Sequence, residues 1–254
     1  MTNYHPLTIG ALLLFLLLAG CAGERPSDDK TAGWSAEKIF TEARRALDKG
    51  GHAQAIEYYE RLEARYPYGK YALQGQLDLA YAYYKNNDPE AALEAADRFI
   101  TLHPVHPSVD YAYYLKGLIY FTIDVSLIDR LVPQDSSRRD MLHVQQSENA
   151  FALVLRRFPD SKYGDDARQR IVYLRNQLAL QEIHVARFYL QRGAPMATVN
   201  RARAVVERYP TTPSVPDALM LLQEAYLQLG LDDLAADSAR VLALNFPDHS
   251  GKRD

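Results

Sequence analysis

The chain has 254 residues, of which 48% are hydrophobic and 24% are charged, and this is the composition of an ordinary globular protein. Its length allows one large domain or two small ones. The net charge of -3 excludes the strongly basic character that drives nonspecific binding to nucleic acid.

The N-terminal segment predicts an exported lipoprotein. A leucine-rich run, LTIGALLLFLLLAGC at residues 7–21, is too short to favour a transmembrane helix and fits a signal peptide at residues 1–20. Its last four residues, LAGC, resemble the bacterial lipobox, which implies cleavage before Cys21 and attachment of fatty acids such as palmitate. Cys21 is the only cysteine, so the exported chain has no disulfide. The alternative is a buried cysteine within a membrane span.

The residues after the cysteine predict an anchored domain. Ala22 follows Cys21 where, in enteric-type bacteria, an aspartate would suggest retention in the inner membrane, so the outer membrane is favoured. Residues 22–33, AGERPSDDKTAG, are small and charged, and they cannot bury enough apolar surface to fold. We therefore expect a lipidated flexible tether at 21–33 and a single folded domain at 34–254.

From Trp34 onward the apolar residues recur at helical spacing, as at Ile39, Phe40, Ala43 and Leu47, and no stretch alternates as a strand would. Helix-like stretches end repeatedly just before a proline, which cannot continue a helix and restricts the residue before it. These prolines are Pro67, Pro104, Pro159, Pro210 and Pro247.

The intervals between the prolines are 37, 55, 51 and 37 residues, and 37 is close to the period of the tetratricopeptide repeat. With each proline in the same register, small and large residues occupy the positions where two antiparallel helices interlock, for example Ala80, Tyr83, Ala92 and Phe99. The predicted fold class is all-α, an α-solenoid of about five tetratricopeptide-like helix hairpins.

The middle of the chain departs from the repeat. The third unit is longer by 18 residues, and this insertion, at about 126–143, is polar and contains proline. It is either a tolerated surface loop or a flap that binds a partner. Residues 163–193 of the fourth unit are predicted to form one helix, extended at its N-terminal end.

The sequence contains no G-x-S-x-G, glycine-rich phosphate loop, C-x-x-C or H-E-x-x-H motif, so we expect no enzymatic activity, cofactor or metal. His103 and His106 have no further ligand at a suitable spacing. Asp165 and Asp166 are interpreted as acidic residues at a helix N-terminus. An enzyme whose site is assembled from such residues remains an alternative.

A concave surface is the remaining candidate site, because the first helix of each tetratricopeptide hairpin lines that side. Aromatic residues with a few cations occupy its positions, which suits an extended peptide with aromatic and carboxylate groups. Alternatively, several of these side chains pack between repeats and never meet solvent. The candidate residues are Phe40, Arg44, Tyr81, Tyr84, Lys85, Tyr111, Tyr114 and Phe121.

Several long stretches resemble the outer-membrane protein assembly factor BamD family, and the resemblance covers nearly the whole mature chain. The most specific are HPVHPSVDYAYYLKG at 103–117, RRD at 138–140 in the insertion, RFPDSKYGDDA at 157–167 and RFYLQRGA at 187–194. A generic repeat protein would not combine these motifs.

The resemblance implies a non-enzymatic lipoprotein on the periplasmic face of the outer membrane, within the β-barrel assembly machinery. It implies that the N-terminal repeats bind unfolded outer-membrane protein precursors by their C-terminal signal. It also implies that the C-terminal repeats bind the barrel subunit BamA, with Asn200 and Arg201 as the candidate residues. The family usually has an aromatic residue where Pro195 stands, which leaves the local turn uncertain. A different periplasmic repeat lipoprotein, an adaptor in cell-envelope or secretion machinery, is the alternative.

Overall fold

A computed structural model describes residues 29–124 and 141–249, and within these ranges the chain is helical with no strand. A short 3-10 turn, Pro247–His249, ends the described part. This confirms the predicted all-α class. The helices are α1 (Ala36–Asp48), α2 (His52–Arg65), α3 (Lys70–Lys85), α4 (Pro89–Leu102), α5 (Val109–Asp124), α6 (Leu142–Arg157), α7 (Gly164–Gln191), α8 (Pro195–Arg208), α9 (Val215–Gln228) and α10 (Asp232–Asn245).

The second helix of every hairpin ends in the same backbone conformation, immediately before a proline. The residue after the last helical one has φ between -138° and -129° and ψ between 48° and 68° in all five cases. Proline disfavours α geometry in the residue before it, so the helix ends there. These residues are Tyr66, His103, Phe158, Tyr209 and Phe246.

The turns inside four hairpins share a residue with positive φ. It is Gly50 between α1 and α2, Asn87 between α3 and α4, Gly193 between α7 and α8, and Gly230 between α9 and α10. Such a residue ends a helix in the left-handed conformation, which glycine and asparagine adopt most easily. The third hairpin instead joins α5 to α6 through the inserted segment.

The five hairpins stack in chain order, each helix packing against the next. First helices also contact one another, as α1 does α3, α3 does α5 and α7 does α9. We therefore take the first helices as the inner side of the stack. Apolar residues from both helices of each hairpin form the core, with Tyr59, Phe99 and Phe151 among the largest fully buried side chains.

A close approach between helices marks the third hairpin. A Cβ atom added at Gly117 in α5 would lie 2.5 Å from the ring of Phe151 in α6. The hydroxyl of Ser147 also donates to the Gly117 carbonyl at 2.9 Å. Glycine therefore lets the phenylalanine ring pack directly onto the α5 backbone, which explains the small residue at this repeat position.

The end of the predicted tether is fixed to the first hairpin. The Asp29 carboxylate pairs with the guanidinium groups of Arg61 and Arg65 on α2. Arg65 also donates to the Thr31 carbonyl at 2.7 Å, and Thr31 is completely buried. Residues 29–33 at the end of the predicted tether are therefore held against α2 by two arginines. The signal peptide and Cys21 lie outside the described residues.

Two further predictions concern the middle of the chain. The fourth hairpin begins with one 28-residue helix, α7, which confirms the long helix predicted at 163–193. Most of the insertion predicted at 126–143 lies outside the described residues. Helix α6 begins at Leu142, so the last two residues of that stretch are helical.

Candidate functional site

The aromatic residues predicted on α3 and α5 lie close together. The ring centroids of Tyr81 and Tyr84 are 6.2 Å apart, and those of Tyr111 and Tyr114 are 6.5 Å apart. Spacings of three residues place each pair on one side of its helix. The Tyr84 hydroxyl lies 3.2 Å from Oγ1 of Thr122, which joins the ends of α3 and α5.

The next hairpin extends this group of rings. Tyr163, which precedes α7, stacks on Tyr114 with a centroid distance of 4.7 Å and an angle of 15° between the planes. The ring of Tyr163 also lies 5.3 Å from that of Tyr111. Only 9% of the Tyr114 surface is exposed, so this residue packs between hairpins and supports the other rings.

The C-terminal half of α5 contributes one more ring to this surface. Phe121 contacts Tyr173 of α7 at a centroid distance of 5.7 Å, and the guanidinium carbon of Arg170 lies 5.0 Å from the Phe121 ring centre. We call the resulting surface the aromatic face. It consists of Tyr81, Tyr84, Tyr111, Phe121 and Tyr173, and the buried Tyr114 packs against Tyr111.

A polar cluster fixes Tyr114 in place. Its hydroxyl donates to Oδ2 of Asp166 at 2.6 Å, and Nε of Arg170 donates to the same oxygen at 2.6 Å. Burial alone would raise the pKa of Asp166, but the hydrogen bonds from Arg170 and Tyr114 outweigh it and lower that pKa. Burial and the bond to Asp166 raise the pKa of Tyr114 to about 12, so the phenol is protonated at neutral pH.

Tyr111 has a raised pKa for the same leading reason. Its ring is largely enclosed, and burial penalises the phenolate more than any neighbouring charge does. Tyr111 therefore offers a neutral ring and a hydroxyl group at neutral pH. Such a surface suits apolar and aromatic ligands with a few hydrogen-bonding groups.

Phe40 and Arg44, which were predicted in the same groove, lie in the first hairpin. Phe40 packs on Tyr59 and Tyr71 with centroid distances of 6.1 Å and 5.5 Å. Arg44 donates to Asp78 of α3 at 2.9 Å. Both residues thus join the first hairpin to the second.

Asp78 is the centre of that connection. Its carboxylate accepts hydrogen bonds from Arg44, from the Tyr59 hydroxyl at 3.1 Å and from Gln74 Nε2 at 2.8 Å. Coulombic attraction to Asp78 is the largest cause of the raised pKa of Arg44. Lys85, the last predicted groove residue, ends α3 and is exposed to solvent.

The two residues predicted to bind the barrel subunit lie on α8 and are exposed. Nη1 of Arg201 pairs with Oε2 of Glu182 at 3.2 Å, and Arg208 pairs with the other oxygen of Glu182 at 3.0 Å. Pro195 occupies the first position of α8, where a missing N–H costs nothing. The proline is therefore compatible with the turn that precedes the helix.

The sequence analysis missed Tyr163, Tyr173 and Arg170, and it interpreted Asp166 only as a residue at a helix start. A usable signal was the spacing of four between Asp166 and Arg170, which predicts a pair on one helix side. The contact of that pair with Tyr114 joins two hairpins, so the spacing within α7 alone could not predict it.

His103 and His106, between α4 and α5, are both hydrogen-bonded within the chain. Nε2 of His103 lies 2.9 Å from Oε1 of Gln76, and Nδ1 of His106 accepts from the Ser108 amide at 3.1 Å. Across residues 29–124 and 141–249, no three His, Cys, Asp or Glu side chains form a group that could hold a metal ion. In the same ranges, no helix combines the length and apolarity needed to cross a membrane.

Five stacked helix hairpins define a helical-repeat protein of the tetratricopeptide class. The family model described as outer membrane lipoprotein, YfiO, matches residues 33–242. The chain belongs to this family, whose curated relatives are named outer membrane protein assembly factor BamD.

The similarity to individual relatives extends over almost the whole chain. The BamD of Neisseria meningitidis serogroup A is 44% identical over 237 residues, covering 92% of this chain and 89% of the relative. The BamD of Xylella fastidiosa strain Temecula1 is 38% identical over 252 residues, covering 98% and 85%. A thermophilic TPR protein of Thermus thermophilus is 16% identical over 84% of this chain and 92% of its own, with a TM-score of 0.39.

Proposed function

We propose that the chain is a non-enzymatic scaffold of the outer-membrane β-barrel assembly machinery. In this proposal it is anchored through acylated Cys21, faces the periplasm, and binds both the barrel subunit BamA and unfolded outer-membrane protein precursors. It promotes the insertion and folding of these precursors by holding them next to the barrel subunit. Membership in the BamD family supports a role in outer-membrane protein assembly. The surface formed by the described residues supports the proposed binding of precursors and of BamA.

The aromatic face is the observation that carries the proposed binding of precursors. Outer-membrane strands alternate apolar and polar residues and carry aromatic residues near the membrane interfaces. An unfolded strand of this kind offers rings that can pack on Tyr81, Tyr84 and Tyr111, which are half-buried and therefore ordered before a ligand arrives. A surface of ordered rings gains contact area at a low cost in side-chain entropy.

The proposed surface for BamA lies on a different helix. Asn200 and Arg201 are exposed on α8, and Glu182 holds the Arg201 guanidinium in a defined position. A guanidinium that is oriented in this way can bind a carboxylate of a partner with two hydrogen bonds. The scaffold would therefore bind precursor and barrel subunit at the same time.

The Tyr81→Ala/Tyr84→Ala double variant tests the binding of precursors. We expect it to weaken the binding of a short peptide from the C-terminus of an outer-membrane barrel by about tenfold, because two ring contacts are lost. Fluorescence anisotropy with a labelled peptide measures the affinity, and circular dichroism melts check that the variant is folded.

Tyr68→Ala is the matched control, because this tyrosine is 90% exposed and lies outside the aromatic face. It should bind the peptide as the wild type does. An unchanged affinity of the double variant would contradict the proposed role of the aromatic face.

A further inference from the structure

Lys85, a lysine beside the aromatic face, forms no ion pair with any group in the described ranges. Helices α3 and α5 contain three lysines, Lys70, Lys85 and Lys116. Nζ of Lys70 lies 4.8 Å from the ring centre of Tyr71, and Lys116 pairs with Asp97. Lys85 is exposed, and within residues 29–124 and 141–249 it has neither an ion pair nor a ring contact.

Two arginines on the inner side, Arg44 and Arg170, already form ion pairs with carboxylates of the chain. Arg44 is bound to Asp78, whose side chain is only 10% exposed and accepts two further hydrogen bonds. A ligand that recruited Arg44 would leave this enclosed carboxylate without its cation, which is strongly unfavourable. Arg170 is bound to Asp166, whose carboxylate also accepts from the Tyr114 hydroxyl.

The position of Lys85 relative to the rings follows from the spacing on α3. Gln74, Asp78, Tyr81 and Lys85 are separated by four, three and four residues, so they form one stripe along the helix. Lys85 lies four residues, about 6 Å, beyond Tyr81 along the helix axis. A ligand ring against Tyr81 or Tyr84 would therefore bring a carboxylate of the same residue within reach of the lysine side chain.

We propose that Lys85, rather than Arg44, binds the C-terminal carboxylate of a peptide that packs on the aromatic face. The site then distinguishes a free chain end from an internal aromatic segment, which has no carboxylate at that position. This inference rests on the proposed binding of precursors to the aromatic face. It adds a residue that determines which part of the precursor is bound.

The test compares two forms of one short peptide that ends in phenylalanine, with a free carboxylate and with a terminal amide. The acylated full-length mature chain is used in detergent micelles, and protein-free micelles correct for partition of the peptides. We expect the wild type to bind the free acid about threefold to tenfold more tightly than the amide, a range typical of one accessible charge-assisted contact. In Lys85→Gln this ratio should fall to about one.

Three further variants separate the role of Lys85 from charge and folding. Lys70→Gln removes the same charge from the same helix and should keep the wild-type ratio. Lys85→Arg should restore the preference, because it keeps a cation at this position. Arg44→Gln should lower the melting temperature, since Asp78 loses its partner, and it should leave the ratio of acid to amide unchanged.

The possible results distinguish this inference from the function on which it rests. If neither peptide binds the wild type, the proposed binding of precursors fails, and this inference fails with it. If both peptides bind equally, or if Lys85→Gln keeps the preference for the acid, the aromatic face still binds precursors and the role of Lys85 is wrong. If Arg44→Gln alone removes the preference, the carboxylate binds at Arg44 and the inference is overturned.

Discussion

Tyr114, which was predicted to line the groove, is buried and packs against a residue of the aromatic face. Its ring is enclosed by Tyr163 and Phe151, and its hydroxyl is bound to Asp166. Because the ring is buried, its contacts stabilise the packing of α5 against the fourth hairpin. Among the rings of the aromatic face, Tyr111 packs against this buried residue, so the Tyr114 hydrogen bond should affect stability more than binding.

Tyr114→Phe tests this role, because it removes the hydroxyl and keeps the ring. We expect a loss of about 1 kcal/mol in the free energy of unfolding at neutral pH, as for a typical buried hydrogen bond. The affinity for a barrel C-terminal peptide should not change. Urea denaturation and fluorescence anisotropy measure the two quantities, and a variant that keeps its stability and loses affinity would place the hydroxyl in the binding site.

The same bond predicts a pH dependence. The pKa of Asp166 is lowered in the folded chain, so its contribution to stability is complete above the ordinary carboxyl pKa and is lost as pH falls through the folded value. The difference in unfolding free energy between wild type and Tyr114→Phe should therefore shrink below about pH 4. A difference that grew with acidity would contradict the assignment of the hydroxyl to an ionised carboxylate.

The sequence was sufficient to predict which rings share a helix side, as for Tyr81 with Tyr84 and Tyr111 with Tyr114, because helical spacing decides this. It could not predict that Tyr114 is buried while Tyr84 reaches Thr122. That difference depends on Tyr163 and Asp166, which come from the next hairpin. It also could not predict that Arg44 is bound to Asp78, since the two residues come from different hairpins.

At the scale of helices, the packing of α5 on α6 depends on a position without a side chain. A Cβ at Gly117 would lie within 3 Å of three atoms of the Phe151 ring, and that ring is fully buried beside Tyr114. The ring cannot move away without disturbing its other contacts. The third hairpin therefore depends on a glycine in the middle of a helix, where alanine would otherwise be favoured.

We expect Gly117→Ala to lower the free energy of unfolding by about 1–2 kcal/mol, because overpacking outweighs the gain in helix propensity. Gly164→Ala is the matched control, since a Cβ there would meet its nearest neighbour at an ordinary 3.7 Å. It should be neutral or slightly stabilising. Thermal and urea denaturation compare the two, and equal stabilities would refute the steric explanation.

Helix ends were largely predictable, and the docking of the tether was not. A residue before a proline leaves α geometry for local steric reasons, so the ends at Tyr66 and Tyr209 follow from the sequence. Asp29 lies in a polar stretch that looks unable to fold, and its partners, Arg61 and Arg65, resemble exposed arginines. Only the packing of residues 29–33 on α2 reveals that they belong to the folded part.

At the scale of the whole molecule, the stack separates two proposed binding surfaces. The aromatic face extends over α3, α5 and α7, and the proposed surface for BamA lies on α8. Five hairpins joined by short turns present these surfaces in a fixed order along the chain. The prolines and the register of small and large residues together were enough to predict this architecture, because each hairpin has its own local stop signal and contacts mainly its neighbours.

The central claim is that this chain joins the barrel subunit to its precursors, and co-purification from detergent-solubilised outer membranes tests it most directly. The wild-type lipoprotein should recover the barrel subunit, and Arg201→Glu should recover less, because it reverses a charge on the proposed surface. Arg203→Glu, on the same helix but paired with Glu207 rather than with Glu182, serves as the control and should recover the wild-type amount. Failure of the wild type to recover any barrel subunit would contradict the account.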